Sequence, residues 1–210
     1  MTSRLIETPA DIDEGCAWLC AHEPRFAAAL AETGQPPLRR REAGFSSMLN
    51  AICGQQLSVA AAASVWKKLC DEEAQDPGKL LAMDEAALRA CGLSRPKIRY
   101  ARALAEADLD YAALATLPEE EAIATLTAVK GIGLWTAEIY LMFSVGRADV
   151  FAHGDLALQE ASKILFELPE RPSEKPMRQI AEAWSPWRGV AARLLWAYYR
   201  VAKNRDGITE

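Results

Sequence analysis

The residues best suited to chemistry lie in one stretch, Val129-Lys130-Gly131-Ile132-Gly133-Leu134-Trp135-Thr136-Ala137, and at Asp155 beyond it. Two glycines flank one apolar residue between two apolar runs of helical spacing. Glycine tolerates positive φ and leaves its amide open to close approach. The second glycine also opens a helix, whose first N–H groups have no partner within that helix. Such N–H groups at a positive dipole end hold phosphate. Ile132 can tuck beneath the turn, and Lys130 adds a cation beside it. Two helices joined this way grip a nucleic-acid backbone without reading bases. The same Gly-Ile-Gly also serves as a plain tight turn between core helices.

Asp155 likewise has two readings that do not exclude each other. It is an ordinary N-cap for the apolar run that follows it. It is also a carboxylate brought back near the hairpin by one helix and one connecting segment. Trp135, Trp184, Trp187, Trp196, Tyr198 and Tyr199 crowd the later part of the chain. Rings at such spacing are core more often than binding box, yet flat rings around a carboxylate suit a planar, electron-poor guest. Gln55-Gln56, at a junction between two helical runs, reads either as a surface turn or as a loop that enters the minor groove and fills the hole left by an extruded base.

The elements that must position these residues are all helical. Thr8-Pro9-Ala10-Asp11 opens a helix carrying Ile12, Cys16, Leu19 and Cys20 on one face, ending before Pro24. A short helix from Phe26 to Ala31 stops at Gly34, and Gln35-Pro36-Pro37 is a linker between lobes. Further helices are expected over Phe45 to Cys53, Val59 to Leu69 with Ser58 as cap, Leu80 to Met83, and Glu85 to Cys91 before Gly92. Ser94-Arg95-Pro96 opens one through Ala107, and Leu117-Pro118 opens the hairpin's first arm through Thr127. The second arm is expected to run unbroken from Gly133 to about Val145. Asp149 to Asp155 is expected to be extended, with His153 as an exposed loop residue. Helices then follow over Leu156 to Phe166, from Ser173 to Trp184, and from Ser185-Pro186 through Lys203, before a polar, frayed tail to Glu210. No stretch shows β-alternation of useful length.

Composition agrees with a folded chain of one core or two lobes: 210 residues, 50% hydrophobic and 25% charged. No apolar run approaches the ~20 residues of a membrane span. The N-terminus from Met1 lacks the apolar region of a signal peptide, so a cytoplasmic protein without a membrane partner is expected. The five cysteines, Cys16, Cys20, Cys53, Cys70 and Cys91, show no C-x-x-C spacing, which argues for buried thiols over a disulfide framework, zinc site or cluster. The net charge of -5 weighs against nucleic acid only if read globally. Acid gathers at Asp11, Asp13, Glu14 and at Glu119 to Glu121. Base gathers at Arg39 to Arg41, at Arg95, Lys97, Arg99 and Arg102, and at Arg188, Arg193, Arg200 and Lys203, each group ordinarily a solvated helix face.

Five blocks in order along the chain resemble the helix-hairpin-helix (HhH-GPD) DNA glycosylases, and within them the 3-methyladenine DNA glycosylase II, or alkylbase glycosylase, group. They are Phe45…Ile52-Cys53-Gly54-Gln55-Gln56-Leu57-Ser58…Ala61-Ala62; Gly92-Leu93-Ser94…Lys97…Tyr100; Lys130 to Ala137; Asp149-Val150-Phe151…Asp155-Leu156-Ala157-Leu158; and Trp184-Ser185-Pro186-Trp187-Arg188…Ala191-Ala192…Leu195-Trp196. The resemblance implies an all-α, two-lobed fold with the active site in the cleft between lobes. One lobe would be a helical barrel over residues 40–148, and the other would join 1–39 to 149–210. It implies Asp155 as the catalytic aspartate, and Trp135, Trp196 and Phe45 around the base pocket. It implies Gln55, Gln56 and Leu57 as the intercalating loop. Lys130, Gly131, Gly133 and Thr136 would then hold a phosphate, with a monovalent cation possible at the hairpin carbonyls and no metal or cofactor required. The implied partner is double-stranded DNA containing alkylated bases, bound by a monomer.

Departures from related patterns sharpen that expectation. Bifunctional relatives carry a lysine where this chain has Trp135, so hydrolysis without lyase chemistry is implied. The C-terminal cysteine cluster of endonuclease III-like relatives is missing, and the extra β-rich N-terminal domain of the bacterial alkylbase enzyme is not expected in so short a chain. Two other readings stay open at this point: a non-catalytic DNA-gripping module, and a mismatch glycosylase of the same fold.

Overall fold

The computed structural model describes residues 4–203, so the expectations for Met1 to Ser3 and for the tail after 203 lie outside the described residues. Twelve α-helices account for most of those residues. They are α1 (Pro9–His22), α2 (Pro24–Thr33), α3 (Phe45–Gly54), α4 (Val59–Asp71), α5 (Pro77–Ala82), α6 (Glu85–Ala90), α7 (Arg95–Glu106), α8 (Glu119–Thr127), α9 (Leu134–Tyr140), α10 (Leu156–Leu165), α11 (Glu174–Glu182) and α12 (Arg188–Lys203). A 3₁₀ turn spans Ala113–Ala115, and a π-helical turn over Leu141–Val145 continues α9. Among the described residues the sole β-pairing is an isolated bridge between Leu5 and Arg147.

Two compact units form, Met1–Arg40 with Leu141–Glu210, and Arg41–Tyr140. The second crossing between these units falls at Tyr140. The reason is that residues 142–148 bond to the discontinuous unit. The Gly146 carbonyl accepts from the Ile6 amide at 2.6 Å, and the Ala148 carbonyl accepts from the Gly189 amide at 2.7 Å. Arg40 Nη1 donates to the Ser144 carbonyl at 2.8 Å, and Arg193 Nη2 to the Met142 carbonyl at 2.9 Å. Those two cations satisfy carbonyls at the end of a helical run, where the dipole favours positive charge.

In the discontinuous unit α12 packs against α1, α2 and α10. An aromatic cluster fills its core: Phe26, Phe166 and Trp184 lie 5.3–5.6 Å apart by ring centroid, and Phe151 is 5.5 Å from Trp184. Such offset and edge contacts add to the burial of each ring. In the other unit α7 packs against α3, α5 and α6, α3 against α4, and α8 against α9. Met48, Leu49, Ile52, Leu69, Leu80, Leu88, Leu104 and Leu126 are fully buried there.

The local punctuation explains most helix ends. Ser58 accepts from the Ala61 amide, and Asp84 from the Ala87 amide, as N-caps. Three expectations are corrected. The hairpin's second arm is not one α-helix: Gly146 and Arg147 amides both bond the Leu141 carbonyl, at 3.0 and 2.9 Å, which widens the last turn. Helix α5 begins three residues earlier than expected, because Asp76 caps it and Pro77 takes the first helical position. Helix α12 begins at Arg188 rather than Ser185-Pro186. There the Asp149 carboxylate accepts from Ser185 Oγ (2.7 Å), the Arg188 amide (3.4 Å) and Arg188 Nε (2.8 Å), so the helix start is pinned from outside.

Candidate active site

Asp155 ends the segment that leads into α10. That segment is not extended as expected. It winds through two turns, in which the His153 amide bonds the Phe151 carbonyl and the Asp155 amide bonds the Ala152 carbonyl, both at 3.0 Å. His153 is fully buried against the Phe151 ring, at 5.2 Å between centroids, which corrects its expected place in an exposed loop. Its carbonyl accepts from Gln159 Nε2 at 2.8 Å, tying the turn to α10.

The Asp155 side chain caps α10: Oδ1 accepts from the amides of Ala157 (2.9 Å) and Leu158 (3.0 Å). A third donor comes from α12, where Trp196 Nε1 donates to the same oxygen at 3.2 Å. Three donors on one oxygen fix the orientation of the carboxylate before any substrate arrives. Only 8% of Asp155 is exposed, so water screens its carboxylate little. Trp196 itself is 2% exposed and lies 5.6 Å from the Phe143 ring. The structure therefore joins Asp155 and Trp196 within one unit. Trp135 and Phe45 belong to the other unit. Trp135 is 42% exposed in the first turn of α9, and half-buried Phe45 opens α3 beside an open pocket of ≈ 580 Å³ shared with Asn50 and Trp66.

The hairpin's two glycines differ in kind. Gly131 has φ +98, and a Cβ there would meet the Tyr100 ring at 2.3 Å, so turn geometry and packing both demand glycine. At Gly133 a Cβ would meet nothing within 4 Å, and its φ is ordinary. Nothing inside the protein requires glycine at 133. Ile132 is 4% exposed beneath the turn, Lys130 is exposed, and Thr136 is 7% exposed, its side chain turned into the unit. The first intrahelical bond of α9 runs from the Ala137 amide to the Gly133 carbonyl. The amides of Leu134 to Thr136 lie ahead of it.

The two glutamines also part company. Gln55 Nε2 donates to the Gly131 carbonyl at 3.1 Å, so this side chain is a strut onto the hairpin. Lys97 Nζ, from α7, donates to the Cys53 carbonyl at 2.6 Å and closes the end of α3. Burial pulls the Lys97 pKa below its ordinary value. Between these anchors, Gly54 to Leu57 form a type II turn: Gln55 has φ -53 and ψ 129, Gln56 has φ 58, and the Leu57 amide bonds the Gly54 carbonyl at 3.2 Å. Its third position favours glycine, yet it holds Gln56, with Leu57 beside it 41% exposed. A non-glycine residue in this state carries local backbone strain. Gln56→Gly is expected to leave thermal stability unchanged or raise it, by relieving about 1 kcal/mol of left-handed strain. On the reading that the family resemblance implies, the same change should slow excision at well-paired lesions roughly tenfold, as loss of about 1.4 kcal/mol of support for the extruded state. Melting curves and single-turnover rates check both halves. Lys97, Tyr100 and the strut role of Gln55 had no signature in residue type, although Lys97 and Tyr100 stand in one of the recurring blocks.

Among the described residues no group of three His, Cys, Asp or Glu side chains is arranged to hold a metal ion. No helix there is long and apolar enough to cross a membrane. The five cysteines are unpaired, and burial pushes the Cys16 and Cys53 thiols up to about 12.

Residues 49–186 match the model of the HhH-GPD superfamily of base excision DNA repair proteins. The chain belongs to this family. Among relatives in Schizosaccharomyces pombe, the alkylbase DNA glycosidase-like protein is 30% identical over 73% of this chain and 77% of its own length. DNA-3-methyladenine glycosylase 1 of the same organism is 31% identical over 75% and 73%. The crystal structure of a DNA-3-methyladenine glycosidase from Bacillus halodurans superposes with a TM-score of 0.84 at 30% identity, covering 98% of this chain and 96% of that one. A Schizosaccharomyces pombe 3-methyladenine DNA glycosylase in complex with abasic DNA superposes with a TM-score of 0.73 at 27% identity, covering 93% and 100%. Membership of the HhH-GPD family and the all-α fold are thus established.

Proposed function

We propose that this chain is a monofunctional DNA glycosylase that excises alkylated purines, such as 3-methyladenine and 7-methylguanine, from duplex DNA in base excision repair. The observation that carries the reading is the Asp155 carboxylate, 8% exposed and held on one oxygen by two amides and the Trp196 indole. The names of the relatives support the substrate class.

The chemistry suits so spare a site. A purine alkylated at N3 or N7 is positively charged, so its glycosidic bond is already weakened and the leaving group needs little acid. As the C1′–N bond breaks, its electron pair neutralises the purine and the sugar becomes an oxocarbenium ion. A fixed, poorly screened carboxylate stabilises that cation. Water then adds to C1′ and loses its proton, with Asp155 as the base that orients it. The base must first leave the stack, at a cost of a few kcal/mol. Gln56 and Leu57, on their strained turn, would fill the gap. The amides at the start of α9, approached across Gly133, would hold a backbone phosphate. Trp135 offers no amine for an imine, so an abasic site is the final product.

The direct test is release of free base from methylated duplex DNA, followed by chromatography. Free methylated purines are expected. Tight binding with no base released would leave only a DNA-gripping module.

A further inference from the structure

We infer that Arg39, Arg193 and Arg200 form a subsite for one phosphate oxygen of the DNA backbone, on the unit that carries Asp155. The inference rests on the glycosylase reading for the identity of the polymer.

By spacing, Arg193 belongs to a solvated helix face, yet it is 3% exposed. Of its five N–H bonds, three reach protein carbonyls: Nε to Leu38 (3.4 Å), Nη1 to Gly189 (2.8 Å) and Nη2 to Met142 (2.9 Å). The other two have no acceptor among the described residues. Carbonyls offer only partial negative charge, and the guanidinium also lies over the Phe143 ring at 4.6 Å. The charged groups that act on it are Arg40 and Arg39, both positive. Burial first, then those two neighbours, push its pKa down to about 9, which still leaves a cation at neutral pH. A buried charge without a counter-ion is costly to keep.

Arg193 lines a crevice of ≈ 20 Å³ together with Arg39, Arg200 and Trp196. That volume takes about one water-sized atom. It admits one oxygen of an anion, not a whole metabolite. A phosphodiester suits it, since one non-bridging oxygen can enter while the rest of the strand stays outside. Guanidinium groups pair with phosphate through parallel N–H donors. Arg39 is held at the crevice with φ 47, a backbone state uncommon outside glycine. The wall formed by Trp196 is the one whose indole donates to Asp155. A phosphate seated here lies one side chain from the catalytic carboxylate, where it would set the position of the sugar. In a chain of net charge -5, such a local cation group is what a polyanion can find.

The test compares wild type with the Arg39→Gln/Arg200→Gln pair, binding a duplex that carries an abasic-site analogue across a salt series. Affinity should fall roughly fivefold or more and the slope of log K against log salt should shrink by about one. The melting temperature should hold, which separates a loss of affinity from a loss of fold. Arg39→Lys/Arg200→Lys should restore the slope. Unchanged affinity, or weaker binding at an unchanged slope, would overturn the subsite. A second arm exchanges chloride for inorganic phosphate at fixed ionic strength. If phosphate raises the melting temperature of wild type but not of the Gln pair, while DNA affinity is equal in both, the crevice takes a free anion and the DNA assignment fails. Base release by wild type, run alongside, separates the two readings: a wild type that shows the salt difference yet frees no base keeps the subsite and loses the glycosylase.

Discussion

Asp155→Asn should lower the rate of base excision by about 10²–10³ or more while leaving DNA affinity within about threefold. Asparagine is as good an N-cap as aspartate. Its amide oxygen can accept from the Ala157 and Leu158 amides and from Trp196 Nε1, as Asp155 Oδ1 does. Fold and orientation therefore survive, and only the negative charge is lost. A neutral amide cannot stabilise an oxocarbenium ion or take a proton from water. Single-turnover kinetics on a duplex with one alkylated purine measure the effect. Near wild-type turnover would remove Asp155 from the mechanism.

Gly133→Asn should weaken binding to every duplex, damaged or not, by roughly tenfold or more, the worth of a lost hydrogen bond to a charged group. Space inside the protein does not forbid the change, since a Cβ at 133 meets nothing within 4 Å. Asparagine at this position is also a better helix cap than glycine. Melting temperature should therefore hold or rise. The new side chain would instead lie across the first-turn amides of α9 and keep a phosphate from them. The contrasting variant is Gly131→Ala, which meets the Tyr100 ring at 2.3 Å and a φ of +98, and should destabilise the fold itself. Binding isotherms with melting curves separate the two. Full affinity in Gly133→Asn would mean that the hairpin is not the anchor.

Much of this arrangement is legible in the chain because it is set locally. Caps such as Ser58 and Asp84 act on amides three residues away, so residue type and position reveal them. Asp155 is readable as a cap for the same reason. What sets it apart as the proposed site is a donor 41 residues further on, and no local pattern announces that Trp196 turns its indole to it. The hairpin's second arm misleads in the same way. Its apolar spacing is continuous, but the widened turn at Leu141–Val145 is held by Arg40 and Arg193, which lie far off in sequence. Arg193 and His153 show the limit of polarity as a guide to exposure. Both are polar types in ordinary surroundings of sequence, and both are buried by contacts that only the folded chain creates. The glutamine pair looks alike in sequence and differs in the structure because one of the two meets the Gly131 carbonyl.

The central claim is that this chain hydrolyses the bond between an alkylated purine and its sugar and stops there. The measurement that meets it most directly follows one end-labelled duplex bearing a single 7-methylguanine, scoring free base and strand integrity in the same reaction, with borohydride present in a parallel tube. The account predicts free base in amounts equal to alkali-labile sites, intact strands before alkali, and no protein–DNA adduct with borohydride. Strands cut without alkali, or a trapped adduct, would contradict the assignment of Trp135, and labelled duplex that is bound but never loses its base would contradict the function.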